Sequence, residues 1–374
     1  MGVYLYVLVI YAACKDIADE WRGCHRHYLY RLSDYIDYLS RIRTFLPTDC
    51  DITAFNIAGF TGLDISRASD VMGMAVQEVQ AAQIPFFTKA DFDVIIMNET
   101  EVARRIDDSI RTVFAAHGSS IIPSSGRFMH ADIMAYFDVI TVANKANMHI
   151  LADGMSAFRK ARRLGECEGK ASALRSDMRI SYLMPTQPVK KEKPLTNTRT
   201  KPIGEQFTIG IMPTMAQVIQ PDVSFYFCAP EVIGVLFEKF PGCKIIFRPY
   251  PADLSNRHIV QFCANLLGTG RVEIDLSGST SAEFFSKVDL LITDGSTGGV
   301  SFMLNRGVPP IYYVPAKSMN SSFTRMFADK MRTSAPVAHT PVELEECIRY
   351  VAGSHPGVLF KFYENYCRDE LFFE

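Results

Sequence analysis

The sequence predicts an α/β protein with two doubly wound halves, and three observations support this fold class. Apolar, strand-like runs alternate with segments of helical spacing through most of the 374 residues, which is typical of parallel sheets covered by helices. A basic, proline-containing stretch at 186–206 separates an earlier series of strands from a later one. Residues 288–315 hold a strand, a turn of small residues, a helix and a second strand, which is the βαβ unit of a parallel sheet.

Apolar runs and helical spacing locate the elements of the first half. Strands are predicted at 3–13, 92–97, 112–116 and 138–142. The uncharged stretch 1–14 is shorter than the ~20 residues that a membrane-spanning helix needs, so we expect a buried strand there rather than an interfacial anchor. Aromatic and aliphatic residues at helical spacing predict an amphipathic helix over 16–45 and a second helix over 71–82.

The second half has a more regular pattern. Strands are predicted at 207–212, 243–247, 272–275, 288–293 and 310–314, and helices at 231–240, 259–267, 281–287, 300–305, 340–351 and 358–373. We therefore expect an N-terminal Rossmann-like domain at 1–185, a linker at 186–206 and a C-terminal Rossmann-like domain at 207–345. Helices in 346–374 are predicted to pack back across the domains. Two such domains are the pattern of a GT-B type transferase, in which ligands bind in a cleft at the carboxyl ends of strands.

Composition limits the classes of partner and compartment. Charged residues make up 21% of the chain and the formal net charge is −2, so no nucleic acid is expected as a partner. Basic runs at 159–163 and 190–193 leave peripheral contact with a membrane open. None of the nine cysteines forms a CxxC pair or a Cys/His cluster, which is typical of buried thiols in a reducing cytoplasm. We expect a cytoplasmic protein, with a peripheral position at the inner face of the cell membrane as the alternative.

Three predicted strands end in residues that suit transfer from a nucleotide. His117-Gly118 follow the strand at 112–116, Arg248-Pro249-Tyr250-Pro251 follow the strand at 243–247, and Asp294-Gly295-Ser296-Thr297 follow the strand at 288–293. A histidine near its working pKa can take a proton from an acceptor hydroxyl. A guanidinium can neutralise phosphate oxygens, and a helix N-terminus in a turn of small residues can hold a phosphate without a metal.

Each of these residues also has a structural interpretation. Asp294 or Ser296 could cap a helix while the glycines allow close packing. Arg248 could form a surface salt bridge, and His117 could be a hydrogen-bonded histidine in a tight turn. The sequence leaves both interpretations open for each.

Four short motifs in order carry a resemblance. They are Ala116-His117-Gly118-Ser119, Pro213-Thr214, Arg248-Pro249-Tyr250-Pro251 and Thr293-Asp294-Gly295-Ser296-Thr297, the last followed by the strand Pro310-Ile311-Tyr312-Tyr313. Over residues 90 to 315 the chain resembles the CDP-glycerol glycerophosphotransferase family, the teichoic-acid and capsule polymerases and primases. The resemblance implies a GT-B fold, metal-independent transfer and His117 as the base. It also implies donor-binding residues, namely Gly118, Pro213, Thr214, Arg248, Tyr250, Asp294, Gly295, Ser296 and Thr297.

Two departures from the family keep the donor open. The family's histidine in the third motif is Tyr250 here, which stays neutral at about pH 7. Ser301-Phe302 stand where the family has an acidic residue. We expect a transferase in cell-surface polymer synthesis that moves a glycerol-phosphate or glycosyl group from a cytidine nucleotide, CDP-glycerol or a CMP-linked sugar, to a polysaccharide or lipid-linked acceptor. The alternatives are a GT-B glycosyltransferase or epimerase that uses a UDP-sugar, and a nucleotide-binding protein without activity.

Overall fold

The chain divides into two compact units, seen in a computed structural model. Most residues up to 185 belong to the first unit and residues 186–372 to the second. The structure describes residues 28–32, 52–57, 66, 69–70, 73–80, 82–83, 86–88, 91–97, 106–107, 109–115, 137–142, 179–182, 203–204, 206–214, 225–277, 281–317, 328–329 and 331–370. The predicted strand at 3–13 lies outside these residues.

The described part of the first unit is a parallel sheet. Its strands are β1 (Tyr28–Leu32), β2 (Ile52–Ile57), β3 (Val76–Val79), β4 (Val94–Met97), β5 (Arg111–Ala115), β6 (Val139–Val142) and β7 (Arg179–Tyr182). These seven strands lie in the order β3-β2-β1-β4-β5-β6-β7, and the strands pair in parallel. The order reverses between β1 and β4, as it does in a Rossmann sheet. The predicted strands at β4, β5 and β6 are confirmed.

Two helix predictions in the first unit are wrong. β1 lies inside the predicted helix 16–45 and β3 inside the predicted helix 71–82. Short apolar runs fit a helix and a buried strand equally well. A central parallel strand also lacks the alternation of apolar and polar residues by which a strand is recognised in a sequence. β1 is such a strand, since it pairs with β2 on one side and β4 on the other. β2 and β7 were not predicted.

The described part of the second unit is a parallel sheet with helices. Its strands are β8 (Thr208–Met212), β9 (Lys244–Phe247), β10 (Val272–Ile274), β11 (Leu290–Thr293), β12 (Ile311–Tyr313) and β13 (Val337–Ala338). The six strands lie in the order β10-β9-β8-β11-β12-β13. This is again the Rossmann order, with the reversal between β8 and β11. All strands predicted in this half are confirmed, and β13 is an addition.

Helices α1 to α6 follow these strands. They are α1 (Phe225–Lys239), α2 (Arg257–Gly268), α3 (Ser281–Lys287), α4 (Thr297–Arg306), α5 (Pro341–Gly353) and α6 (Pro356–Glu370), with a short 3-10 helix at Pro251–Ser255 before α2. Leu344 and Ile348 of α5 and Leu359 of α6 lie in the core of the second unit. Packing of α5 and α6 across both domains stays a prediction. Within the described residues, no helix has both the length and the apolar character required to cross a membrane.

The central strands β8 and β11 are fixed to each other at both ends. At their start, the carboxylate of Asp289 accepts a hydrogen bond from the backbone N–H of Thr208 at 2.9 Å. The N–H of Asp289 in turn donates to the carbonyl of Thr208 at 2.9 Å. At their end, the hydroxyl of the buried Thr293 donates to the carbonyl of Met212 at 2.6 Å. These bonds set the register, so the residues that follow the two strands emerge side by side.

Two glycines allow the first turn of α4 to lie against the sheet. A Cβ atom on Gly298 would lie 1.8 Å from Cε of Met212, and a Cβ atom on Gly299 would lie 2.5 Å from the hydroxyl oxygen of the buried Tyr312. At Gly298 the flexible end of Met212 would have to move, whereas at Gly299 the buried ring of Tyr312 leaves no room for a side chain. The glycines therefore set how closely the N-terminus of α4 approaches the ends of β8 and β12.

Substituting Gly299 tests this packing. We expect Gly299→Ala to destabilise the second unit by about 1–3 kcal/mol, because the added methyl group displaces Tyr312 in a closed core. Gly234→Ala in α1 is the matched control, since a Cβ atom there meets no atom within 4 Å. It should be neutral or stabilise by about 0.5–1 kcal/mol. Thermal unfolding measures both, and equal midpoints for the two variants would contradict the packing role.

Candidate functional site

The candidate site lies at the carboxyl edge of the second sheet, where the strand order reverses. Pro213 and Thr214 directly follow β8, and residues 294–296 directly follow β11. Arg248 and Tyr250 follow β9, the neighbour of β8. The structure therefore brings three of the predicted segments to one edge of one sheet, which is where doubly wound folds bind ligands. His117 and Gly118 lie outside the described residues, so their predicted roles stay predictions.

A buried carboxylate joins the two central strand ends. Asp294 is 0% exposed and accepts hydrogen bonds from the backbone N–H of Thr214 at 3.0 and 3.1 Å. It also accepts from the hydroxyl of Thr214 at 2.6 Å. Bonds to a charged acceptor are about twice as strong as neutral ones. Because the Asp294 carboxylate is buried among these donors, it positions the turn, and its predicted role in donor binding stays a prediction.

The turn after β11 opens helix α4. Ser296 is the N-cap residue, and its side chain accepts a hydrogen bond from the N–H of Gly298 at 3.1 Å. The N–H of Ser296 donates to the carbonyl of Asp294 at 2.7 Å. The capping role proposed for Ser296 is thus confirmed. Since the first turn of α4, beginning at Thr297, carries no acidic residue, the helix dipole at this end favours an anion.

Arg248 is paired with a carboxylate of the next strand end. Its Nη1 atom lies 3.5 Å from Oδ2 of Asp275, which follows β10, and the two side chains are 14% and 6% exposed. The guanidinium also lies over the ring of Phe284, 5.2 Å from the centroid. Burial raises the pKa of Asp275, but hydrogen bonds from Ser277 and the charge of Arg248 outweigh it and hold that pKa below its usual value. The structure thus gives Arg248 a largely buried ion pair, and phosphate binding by it stays a prediction.

Tyr250 is held through its backbone. Its N–H donates to the hydroxyl oxygen of Tyr226 at 3.3 Å, and its carbonyl accepts from the N–H of Asp253 at 3.0 Å. The hydroxyl of Tyr226 is also hydrogen-bonded to the carboxylate of Asp253, which is 4% exposed. Burial and the negative charge of Asp253 raise the pKa of Tyr226 well above its usual value. The Arg-Pro-Tyr-Pro loop is therefore anchored from α1, while the Tyr250 side chain is half-buried.

Sequence reasoning missed the partners of Arg248 and Tyr250. The predicted strand at 272–275 includes Asp275, but the observed strand β10 ends at Ile274. Asp275 is therefore a strand-end residue, which the longer predicted strand concealed. Asp253 follows three residues after Tyr250, but its burial is not visible in the sequence. Tyr226 and Glu231 lie on α1, and only the fold brings them to this edge. The carboxylate of Glu231 accepts a hydrogen bond from the hydroxyl of Tyr313 at 2.7 Å.

Comparisons with known proteins identify the fold. No protein-family model and no curated protein matches the chain. Solved structures do match: a variant of the wall teichoic acid polymerase TagF has a TM-score of 0.55 and 11% identity over 92% of this chain and 83% of that one. The polymerase itself has a TM-score of 0.53 and 11% identity over 91% and 83% of the two chains.

A third match is an epimerase. The UDP-GlcNAc 2-epimerase of Methanocaldococcus jannaschii, in complex with UDP-GlcNAc and UDP, has a TM-score of 0.52 and 10% identity over 92% of this chain and 98% of that one. The chain has a GT-B type α/β fold. The predicted fold class, with two Rossmann-like units, is confirmed.

The bonds between Thr214 and Asp294 should be measurable in stability. We expect Thr214→Val to destabilise the second unit by about 1–3 kcal/mol, because the buried carboxylate loses a donor. A double-mutant cycle with Asp294→Asn should give a coupling of about 0.5 kcal/mol or more. Thr88→Val is the control, since Thr88 makes the same two bonds to Asp91 on the surface and should change stability little. Additive effects of the two core substitutions would contradict a direct stabilising interaction between Thr214 and Asp294.

The ion pair at Arg248 gives a pH-dependent prediction. The pKa of Asp275 is lower in the folded protein than in the unfolded chain. Its charge therefore stabilises the fold at pH values above the unfolded pKa of about 4, and this stabilisation is lost as the pH falls through the folded pKa. Asp275→Asn should therefore lower the thermal midpoint near neutral pH and change it much less in acid. The exposed pair of Asp329 with Arg332 at 3.9 Å provides the control Asp329→Asn, expected to shift the midpoint little at any pH.

Proposed function

We propose that this protein is a GT-B type transferase of cell-surface polymer synthesis. It moves a glycerol-phosphate or glycosyl group from a cytidine nucleotide to a hydroxyl of a polysaccharide or lipid-linked acceptor. The observation that carries the proposal is the turn at residues 294–297, which opens a helix at the reversal point of a Rossmann-order sheet. This is where such sheets bind nucleotides, and the motifs in this unit follow the order seen in the glycerophosphotransferase family.

Donor binding is assigned to the second unit. The N-terminus of α4, with Gly295, Ser296 and Thr297, faces the donor phosphate through backbone N–H groups and the helix dipole. Pro213 and Thr214 line the adjacent strand end, and Asp294 holds the two segments together. Tyr250 contributes a neutral hydroxyl from the next loop.

Group transfer from a nucleotide requires a base for the acceptor hydroxyl and stabilisation of the leaving group. The acceptor oxygen attacks phosphorus in glycerol-phosphate transfer, or the anomeric carbon in glycosyl transfer, and the bond from that atom to the nucleotide breaks. His117 takes the hydroxyl proton, for which a histidine has a suitable pKa. The leaving nucleotide departs with the electron pair, and the α4 dipole stabilises its new negative charge. We expect no metal requirement.

The structural matches support this class of function. The first two are a wall teichoic acid polymerase, which agrees with the family indicated by the motifs. The epimerase bound to UDP-GlcNAc and UDP supports a second candidate, a UDP-sugar enzyme. A nucleotide-binding protein without activity is the non-enzymatic alternative. Nucleotide preference and turnover separate the three.

Nucleotide release tests the proposal. The full chain is incubated with CDP-glycerol, a CMP-sugar or UDP-GlcNAc and with candidate acceptors, and free nucleotide is measured. We expect release from a cytidine donor, reduced about 100-fold or more in His117→Ala. His258→Ala, at an exposed histidine of α2, should retain the wild-type rate. Release from UDP-GlcNAc alone would favour the second candidate, and binding without release from any donor would favour the inactive protein.

A further inference from the structure

We propose that Arg332, oriented by His339, is a ligand for a phosphate of the nucleotide donor. This inference rests on the proposed function, since it adds a residue to the same donor site. It follows from the position of the two side chains on the second sheet and from the hydrogen bond that joins them. Neither residue belongs to the motifs found in the sequence.

His339 lies at the carboxyl edge of the sheet, directly after β13. Its carbonyl accepts a hydrogen bond from the N–H of Ala316 at 3.1 Å, so the pairing of the two chain segments continues beyond β12 and β13. Its N–H donates to the carboxylate of Glu343, in the first turn of α5, at 2.6 Å. These bonds fix the backbone of His339 at the edge where doubly wound folds bind ligands.

The alternation of side chains places His339 on the face of the sheet that carries α4. Tyr313 and Ala338 are paired in register and lie in the core, and the hydroxyl of Tyr313 binds a residue of α1. The residues next to them along the chain therefore point to the opposite face. Tyr312 does so, since its ring packs against Gly299 in the first turn of α4. His339, next to Ala338, takes the same side.

This position is close to the end of β11, where α4 begins. β13 is the second neighbour of β11 in the sheet, which is about 10 Å at the usual spacing of strands. That distance is within the length of a nucleotide donor whose phosphate lies at the N-terminus of α4. A second phosphate ligand at the end of β13 is therefore compatible with the proposed site.

Two hydrogen bonds fix the position of the proton on the His339 imidazole. Nδ1 lies 2.8 Å from the carbonyl oxygen of Val314, and because a carbonyl only accepts, Nδ1 carries the proton. Nε2 lies 2.9 Å from Nη2 of Arg332, and because a guanidinium only donates, Nε2 offers its lone pair. The neutral imidazole therefore orients the guanidinium without placing a second charge beside it.

Arg332 keeps the exposure that binding a ligand requires. Its side chain is 54% exposed, and its ion pair with Asp329 is long, at 3.9 Å, with the aspartate 69% exposed. Such surface pairs contribute little, in contrast to the largely buried pair of Arg248 with Asp275. A guanidinium has five N–H donors, so Arg332 can donate to His339 and to a phosphate together. Its paired N–H groups match phosphate oxygens.

The backbone around Arg332 is also held in place. The N–H of Arg332 donates to the carbonyl of Ala328 at 3.1 Å. The carbonyl of Thr333 accepts from Nδ2 of Asn365, on α6, at 3.0 Å. A side chain that is ordered before it binds loses less conformational entropy on binding. The bond to His339 and these backbone bonds therefore favour binding of an anion by Arg332.

Nucleotide affinity tests the proposal. Calorimetry on the full chain at about 0.15 M salt measures binding of CDP and UDP, with cytidine and uridine as probes that lack phosphate. We expect Arg332→Gln to weaken binding of the preferred diphosphate about tenfold or more, because a charge-assisted hydrogen bond is lost. Binding of the nucleoside should stay within about twofold of the wild type.

Arg349→Gln is the matched control. The Arg349 side chain is 55% exposed, and its guanidinium lies over the ring of Phe240, which precedes β9 and so lies at the opposite edge of the sheet. This variant removes the same charge and should bind nucleotides as the wild type does. Equal diphosphate affinity in the two variants, or an equal loss of nucleoside affinity in Arg332→Gln, overturns the inference and leaves the proposed function standing. If the wild type binds neither diphosphate, the proposed function fails and the inference with it.

Two variants of His339 test its positioning role. Gln can place an oxygen near the position of Nε2 and accept from Arg332, whereas Asn can only replace the donor to Val314. We expect His339→Gln to keep diphosphate affinity within about threefold of the wild type and His339→Asn to lose about fivefold or more. Adding His339→Asn to Arg332→Gln should cause no further loss, because His339 acts through Arg332. Additive losses, with both variants folded by thermal unfolding, would contradict this role.

Discussion

The pairing of β8 with β11 is the constraint on which the second unit depends. These strands are the inner pair of the sheet, and hydrogen bonds from Asp289 and Thr293 fix them at their two ends. Asp294 then continues the connection beyond the last ladder pair, by accepting from Thr214. The strand order reverses between these two strands. The bonds that set the register therefore also shape the position at which doubly wound folds bind ligands.

Three described acidic residues of the carboxyl edge share one arrangement. Asp294 accepts hydrogen bonds from Thr214, Asp275 accepts from Ser277 and forms an ion pair with Arg248, and the carboxylate of Asp253 is hydrogen-bonded to the hydroxyl of Tyr226. A buried carboxylate is stable only when donors surround it, so each of these residues uses its charge to order a loop. The edge thus gains rigidity from negative charges that are satisfied internally.

The sequence predicted the second unit better than the first for a physical reason. Strands such as Leu290–Thr293 lie between clear helices and small-residue turns, so their apolar runs have one interpretation. Tyr28–Leu32 lies in a long stretch of aromatic residues in which helical spacing also fits, and only pairing with β2 and β4 decides. The strand-end rule found Arg248, Tyr250 and Asp294 but not their partners. Thr214 and Asp294 are 80 residues apart, and contacts at that separation follow from the fold, not from local pattern.

The third motif illustrates how the fold and the donor preference can change separately. The structure uses the backbone of Tyr250, whose N–H binds Tyr226 and whose carbonyl accepts from Asp253. Any residue other than proline can make these bonds, so a tyrosine in place of the family's histidine keeps the loop intact. What changes is the side chain, which loses the ability to carry a positive charge near neutral pH. The order of the motifs therefore reports the scaffold, while the charge that this loop carries depends on the individual side chain at position 250.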